Sequence, residues 1–282
     1  IHSAKLKDLN ITLSDFIVDI RKDEEFKQNF DYIKKKEEQF NKFISEGKTH
    51  IIPNNQLVIL KKWNSYTPIL PTKEDYVSKG GGYFIKFQDI GIVIDPGYNF
   101  IENFLSAGFK LDDIDYIFIS HAHNDHTVEL EGIFSLLYKR NKNSENPKKI
   151  KLYMNLGSFK KFSGYFDLSS PSEKFYVDNI LILNKHQLFK LSDDIEVFIT
   201  ETKHHEMITN KYAVGFVFIF NIASGEKRII KFTCDTGWDS EIEKQNLDQA
   251  STFNIDKVDI LITHLGSVKK TELEYDIEKK IR

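Results

Sequence analysis

The sequence predicts a layered α/β sandwich preceded by a helical extension. Two observations carry this. Between residues 83 and 263, short apolar strands alternate with helical stretches, the rhythm of sheets covered by helices. Before them, residues 22–46 form one highly charged run with apolar residues at helical spacing. The length of 282 residues suits one large domain or two small ones. The expected division is a helical extension over 1–50 and a main domain over 51–282.

In the extension, Phe26, Phe30, Ile33, Phe40, Phe43 and Ile44 form the apolar stripe, and the charges between them nearly cancel. This reads as an amphipathic helix packed on its own domain or on a second copy of the chain. A nucleic-acid-binding helix is the weaker alternative. From residue 57 the texture turns to β. Residues 57–63, Tyr83–Phe87 and Ile90–Ile94 are short, apolar and rich in β-branched or aromatic side chains. Residues 64–82 form a long loop with Pro68, Pro71 and three consecutive glycines, and Asp95-Pro96-Gly97 breaks the chain after the third strand. A short helix is expected over 101–107 and a strand over 116–120. A helix follows over 127–139, with Val128, Leu130, Ile133, Phe134 and Leu137 inward. Further strands are expected over 150–155, 180–183 and 196–200. Segments 215–221 and 228–233 read as a hairpin around Ser224-Gly225, followed by a helix over 240–249 and a strand over 258–263.

Composition narrows the function. The 39 basic and 42 acidic residues leave a net charge of −3, so no global field recruits nucleic acid or membrane. The 40% hydrophobic and 29% charged content is that of a folded chain, not a disordered one. The single cysteine, Cys234, excludes an intrachain disulfide. The longest apolar run, 212–220, is too short to span a bilayer, and no secretory pattern opens the sequence. The expectation is a reduced, cytoplasmic protein without membrane partners. Only four of the 39 basic residues are Arg, while Ile, Asn, Phe and Lys abound, a bias expected of a low-GC bacterial genome. The sequence opens on Ile1 and stops at Arg282 within a charged, helix-like run, so a piece lacking both ends is expected.

The chemistry concentrates in Ser120-His121-Ala122-His123-Asn124-Asp125-His126. Four metal-ligand residues follow directly after an apolar strand. In extended chain, His121 and His123 point to the same side. Asp125 and His126 are neighbours at the entry to a helix, where adjacent side chains diverge and can serve different ions. Crowded imidazoles repel when protonated, and coordination to a divalent cation relieves this by fixing them neutral.

This H-x-H-x-D-H pattern after a strand resembles the signature of the metallo-β-lactamase superfamily. The resemblance spans about residues 57–265. It implies a four-layer αββα sandwich and two divalent ions, most simply Zn2+, with Mn2+ or Fe as alternatives. It implies a metal-bridging hydroxide as the nucleophile. Asp95 matches the family's upstream Asp, which orients the ligand loop. Asp235 in Thr233-Cys234-Asp235-Thr236-Gly237 matches the bridging Asp, while Cys234 in the same strand points the other way. The metal set implied is His121, His123, Asp125, His126, Asp235 and one of the neighbours His204 and His205. His205 is favoured, because the ligand in related sequences is often followed by an acidic residue, here Glu206. Asp125 is also expected to steer the nucleophile's proton.

His264 follows the strand over 258–263 and leaves two readings open. It is the last ligand of a shortened domain, or it is a site-lining acid or base and the last ligand lies beyond Arg282. The second matches RNase Z-like members, where a His at this point protonates the leaving group. It also implies a missing final strand and helix. Substrate contacts are expected from 157–176, with Phe159, Lys160, Lys161, Phe162 and Tyr165 as candidates, and from Lys269 and Lys270. Residues 139–161 carry eight basic residues and one acid, read as a solvated face.

The all-His/Asp donor set points first to phosphodiester hydrolysis, by a nuclease or nucleotide phosphodiesterase acting on a small molecule or nucleic acid. The same donors serve a lactone, thioester or carboxylic-ester hydrolase. A metal-binding scaffold or sensor without catalysis, docking through its N-terminal helix, is the alternative of another class.

Overall fold

The computed structural model describes residues 12–49, 55–60, 81–142, 144–166, 176–205, 212–222, 225–237 and 239–264. The chain divides into two compact units, Ile1–Glu46 and Gly47–Arg282. The division precedes the boundary expected at residue 50. Lys48 and Thr49 already bond into the second unit, at Asp115 and Asp113.

The first unit holds two helices, α1 (Leu13–Lys22) and α2 (Glu24–Ile44). The sequence pattern showed only the second. Asp23 separates them and caps α2, its side chain accepting from the Phe26 amide. Phe26 and Phe30, one turn apart, stack at 6.4 Å.

The second unit contains two sheets. The first has the order β1 to β6: Asn55–Ile59, Tyr83–Phe87, Ile90–Ile94, Tyr116–Ile119, Ile150–Met154 and Val177–Ile182. Its first three strands run antiparallel, and β3 to β6 are parallel. The helices between the parallel strands are α3 (Phe100–Ser106), α4 (Asn124–Thr127), α5 (Leu130–Asn141) and α6 (Leu156–Phe162). The second sheet comprises β7 (Leu188–Ser192), β8 (Ile195–Glu201), β9 (Val214–Asn221), β10 (Lys227–Phe232) and β11 (Ile260–Ile262), in the order β11-β10-β9-β8-β7. Helix α7 (Ser240–Thr252) connects β10 to β11, which pair in parallel.

Strand alternation separates three apolar layers. Val93, Ile117, Ile119 and Leu152 face the helices, packing with Phe104, Leu130, Ile133 and Phe134. Ile92, Ile94, Phe118 and Tyr153 face the other sheet, meeting Val197, Ile199, Phe216 and Phe218. Phe198, Val217 and Ile219 face outward from the second sheet, toward Ala250 and Ile255. Helix, sheet, sheet, helix is thus the expected four-layer sandwich. Burial on both faces is why the strands read as continuous apolar runs.

Several local expectations change. The helix expected over 127–139 is two helices, α4 and α5, because α4 starts within the ligand motif. Strand β7 was not legible, since its partly exposed LFKLS carries a weak pattern. Residues 157–162 lie in α6, and a 3-10 turn follows over Ser163–Phe166. Cys234 is not in a strand: β10 ends at Phe232, and Cys234 has φ +51°. It is still buried, within the core between the sheets. Most of the loop expected over 64–82, together with Lys269 and Lys270, lies outside the described residues. No helix among the described residues is long and apolar enough to cross a membrane.

Candidate metal centre

The site lies beyond the C-terminal ends of five strands, where ligands bind in open α/β sheets. β3 delivers Asp95, β4 the loop 120–126, β8 His204, β10 Asp235 and β11 His264. Parallel pairing holds neighbouring strand ends together. The Asp95 amide donates to the Phe118 carbonyl at 2.9 Å, and the Thr233 amide to that of Ile262 at 3.0 Å.

Two groups of donors result. The ring nitrogens of His121, His123 and His204 converge, with His121 Nε2 and His204 Nε2 at 3.0 and 3.1 Å from His123 Nδ1. His121, His126 and Asp235 form the second group. In each group the donor atoms lie within 4.8 Å of one another. The Asp235 carboxylate spans the two. Its Oδ2 is 4.0 Å from both His121 Nε2 and His204 Nε2, and its Oδ1 is 3.5 Å from His126 Nε2. Asp125 approaches one member of the second group, its Oδ2 3.4 Å from His126 Nε2.

His205 is not brought to the cluster. It is exposed, and His204 takes the place expected of its neighbour. The cause is tertiary. Lys203 forms an isolated bridge with Gly237, its amide donating to Thr236 Oγ1 and its carbonyl accepting from the Gly237 amide. That pairing docks the β8 extension beside the Asp235 loop. Extended chain then turns His204 inward and His205 outward. The acidic residue after His205 carries no such geometry.

Asp95 is fully buried in a left-handed conformation, φ +49°, rare for a non-glycine residue and typical of functional sites. Its Oδ1 accepts from the Ser120 amide at 2.7 Å. Its Oδ2 accepts from the Ser120 hydroxyl at 2.7 Å and from His126 Nδ1 at 2.8 Å. The Ser120 hydroxyl, its proton given to Asp95, accepts from His121 Nδ1 at 3.0 Å. One carboxylate therefore places protons on Nδ1 of both His121 and His126 and turns both Nε2 atoms to the site. Gly97, two residues on, lies against the ligand loop. A Cβ there would stand 1.8 Å from the Asp125 carbonyl oxygen, so only glycine fits.

The electrostatics suit cations. Burial, followed by the neighbouring His126, holds the His121 imidazole well below its ordinary value, against the pull of Asp235. Burial also lowers His204, again against Asp235. Burial would raise the Asp235 carboxyl, but His126 and His264 outweigh it and hold it well below the usual carboxylate range. An ionised carboxylate beside His121 and His204, whose charged forms burial disfavours, belongs to a divalent-metal donor set. The described residues could hold divalent metal at these two groups, His121, His123 and His204 in one and His121, His126 and Asp235 in the other, with Asp125 beside His126.

His264, 4% exposed, stands behind Asp235. Its Nδ1 is 2.6 Å from Asp235 Oδ1 and its Nε2 is 2.7 Å from the Tyr83 hydroxyl. Burial pushes the Tyr83 phenol far above its ordinary value, so it keeps its proton. Sequence reasoning missed Tyr83, and only the three glycines before it marked the place.

The expected substrate contacts are largely spent on structure. Lys161 donates to the Ala122 carbonyl, Asn124 Oδ1 and Thr127 Oγ1 at 2.9, 2.8 and 2.7 Å, gripping the ligand loop from α6. Phe162 is buried and Phe159 packs on the helix-side core. Lys160 and Tyr165 remain exposed. The basic run over 139–161 is partly paired: Arg140 forks onto Asp112, and Lys148 meets Asp115.

A two-sheet sandwich with a His/Asp cluster at its strand ends defines a metallo-hydrolase class of fold. A family model described as "Beta-lactamase superfamily domain" matches residues 91–272. The chain belongs to this superfamily. Among curated proteins, ribonuclease Z of Streptomyces coelicolor is 35% identical over 52 residues, 18% of this chain and 17% of its own. Ribonuclease Z of Thermobifida fusca matches at the same identity over 16% of its length. The matched stretch is thus about a sixth of either relative. Among solved structures, human short-form tRNase Z superposes with a TM-score of 0.51 at 17% identity, covering 79% of this chain and 82% of that one. Unliganded yeast PDE1 gives 0.54 at 14%, covering 77% of each. These two likenesses are of fold.

Proposed function

We propose that the protein is a dinuclear metal-dependent hydrolase acting on phosphodiester bonds, as a nuclease or nucleotide phosphodiesterase. The observation that carries this reading is the Asp235 carboxylate set between a three-histidine group and the His126–Asp125 pair. Every donor is imidazole or carboxylate, the set that suits Zn2+. The local match to ribonuclease Z supports a phosphodiester over a lactone, thioester or carboxylic ester. Divalent ions held there supply Lewis acidity toward a phosphoryl oxygen and bring water's deprotonation near neutral pH. The chain's own residues do the rest. Asp95 and Ser120 orient two imidazoles, Lys161 secures the loop, and Asp125, with 14% of its side chain exposed, receives a proton at the rim. A lone cysteine fits a reducing cytoplasm, and self-association through the α2 stripe is the partner reading that accompanies it.

The test is metal analysis of the purified protein followed by turnover of bis(p-nitrophenyl) phosphate and single-stranded nucleic acid. Two ions per chain and a phosphodiesterase activity abolished in Asp125→Ala are expected. Turnover of lactones or thioesters alone overturns the substrate class. Less than about one ion per chain after mild purification favours a non-catalytic scaffold.

A further inference from the structure

We infer that Tyr83 and His264 are positioning residues that aim the Asp235 carboxylate, and that His264 is neither a metal ligand nor the leaving-group acid. The inference deepens the dinuclear reading and rests on it.

Three groups form a hydrogen-bonded chain: the Tyr83 hydroxyl, the His264 ring and Asp235 Oδ1, with heavy-atom separations of 2.7 and 2.6 Å. Tyr83 is fixed independently of the site. It belongs to β2, is 5% exposed, and packs its ring edge-on against Phe232 at 5.2 Å. It also stacks on the His264 ring at 5.8 Å and 21°. We assign its O–H as the donor to His264 Nε2, which makes that nitrogen the unprotonated one. The ring's proton sits on Nδ1 and donates to Asp235. Both ring nitrogens are thus engaged by protein groups. A ligand needs a nitrogen lone pair facing the ion, and an acid needs a proton facing the substrate; this ring offers neither. The His264 amide also lies 3.4 Å from Thr233 Oγ1, which ties its backbone to the end of β10.

The consequence is directional. Asp235 Oδ1 accepts from His264, while Oδ2 faces His121 and His204. Held at one oxygen, the carboxylate cannot swing away from either donor group. Outer partners of this kind typically set metal affinity by about 10–100-fold.

The variants separate the roles by shape. In His264→Asn the amide nitrogen takes the place of Nδ1–H and keeps the bond to Asp235. In His264→Gln it reaches the place of Nε2 and loses that bond. Tyr83→Phe removes only the hydroxyl. Zinc affinity is measured by chelator competition, and the His264 ring is read by nitrogen NMR of the full chain, as purified and after zinc loading. The expected ring is the Nδ1–H tautomer with Nε2 free of both proton and metal, lost to a tautomer mixture in Tyr83→Phe. His264→Asn is expected to bind zinc within about threefold of the parent, and His264→Gln about 10–100-fold more weakly. A zinc-bound Nε2, or an equal loss of affinity in Asn and Gln, overturns the inference in favour of a ligand. Unchanged affinity in both, with kcat lost in both, overturns it in favour of the acid. Failure of the wild type to bind two ions overturns the dinuclear reading instead, and the ring signals still judge the Tyr83–His264–Asp235 hydrogen-bonded chain.

Discussion

Asp95→Asn is the substitution that most directly probes how the site is built. The change is nearly isosteric, so packing around this fully buried residue is preserved. The amide carbonyl can keep the bond from the Ser120 amide. The new NH2 group, placed where Oδ2 was, faces two donors, the Ser120 hydroxyl and His126 Nδ1. Both must invert. Ser120 then turns its proton toward His121 Nδ1, which has to lose its own. The protons of His121 and His126 move to Nε2, the atoms meant to face the ions. One charge-assisted bond lost is worth about 1.5–3 kcal/mol of stability. A misdirected pair of ligands should weaken metal binding about 10–100-fold, or about 1.4–2.7 kcal/mol. Urea unfolding of the metal-free protein reads the first quantity and chelator competition the second. Ser120→Ala interrupts only the His121 branch and should give a smaller loss of affinity. If Asp95→Asn binds metal as tightly as the parent, or if Ser120→Ala costs more than Asp95→Asn, the tautomer argument is wrong.

Further outcomes follow from particular contacts. His204→Ala should reduce bound metal toward one ion per chain, whereas His205→Ala should leave the count unchanged, since the second ring is exposed; the reverse result would restore the sequence-based choice. Lys86→Met removes the cation 2.9 Å from the buried Asp113 carboxylate, with side-chain exposures of 5% and 0%, leaving it only neutral donors from Thr49 and the Lys110 amide, and should cost about 3 kcal/mol in denaturant unfolding. Burial would raise the Asp113 carboxyl, but bonds from Thr49, Lys86 and the Lys110 amide outweigh it and hold it low. Because the folded value lies below the unfolded one, that stabilisation is complete above pH ~4 and is lost as pH falls through the folded value. Asp113→Asn should remove this acid slope, seen as a flatter unfolding free energy below pH ~4; an unchanged slope would exclude Asp113 as its source.

Much of the site was legible because its ligands are local in sequence. His121, His123, Asp125 and His126 fall within six residues after a buried strand, and spacing alone directs the first pair to one side. The strands between 83 and 119 and between 214 and 232 were legible for a related reason. Most are buried on both faces, so their residues are mainly apolar, with Lys86 in β2 and the exposed Lys227 and Arg228 at the start of β10 as exceptions. Strand β7 failed the same test because it is only partly covered. The choice between His204 and His205 had no local answer, since the two differ only in which way the chain faces on arrival.

The amino-acid sequence by itself determined the family, the layered architecture and the loop that supplies most of the metal donors, because these depend on periodicity and short-range spacing. Tertiary structure alone decided which of two adjacent histidines turns inward, through a bridge between Lys203 and Gly237. It alone joined Tyr83 to His264 across 181 positions and Lys161 to the ligand loop. The physical reason is the same in each case: a hydrogen bond between distant residues is specified by where strands end in space, and no short-range pattern records that.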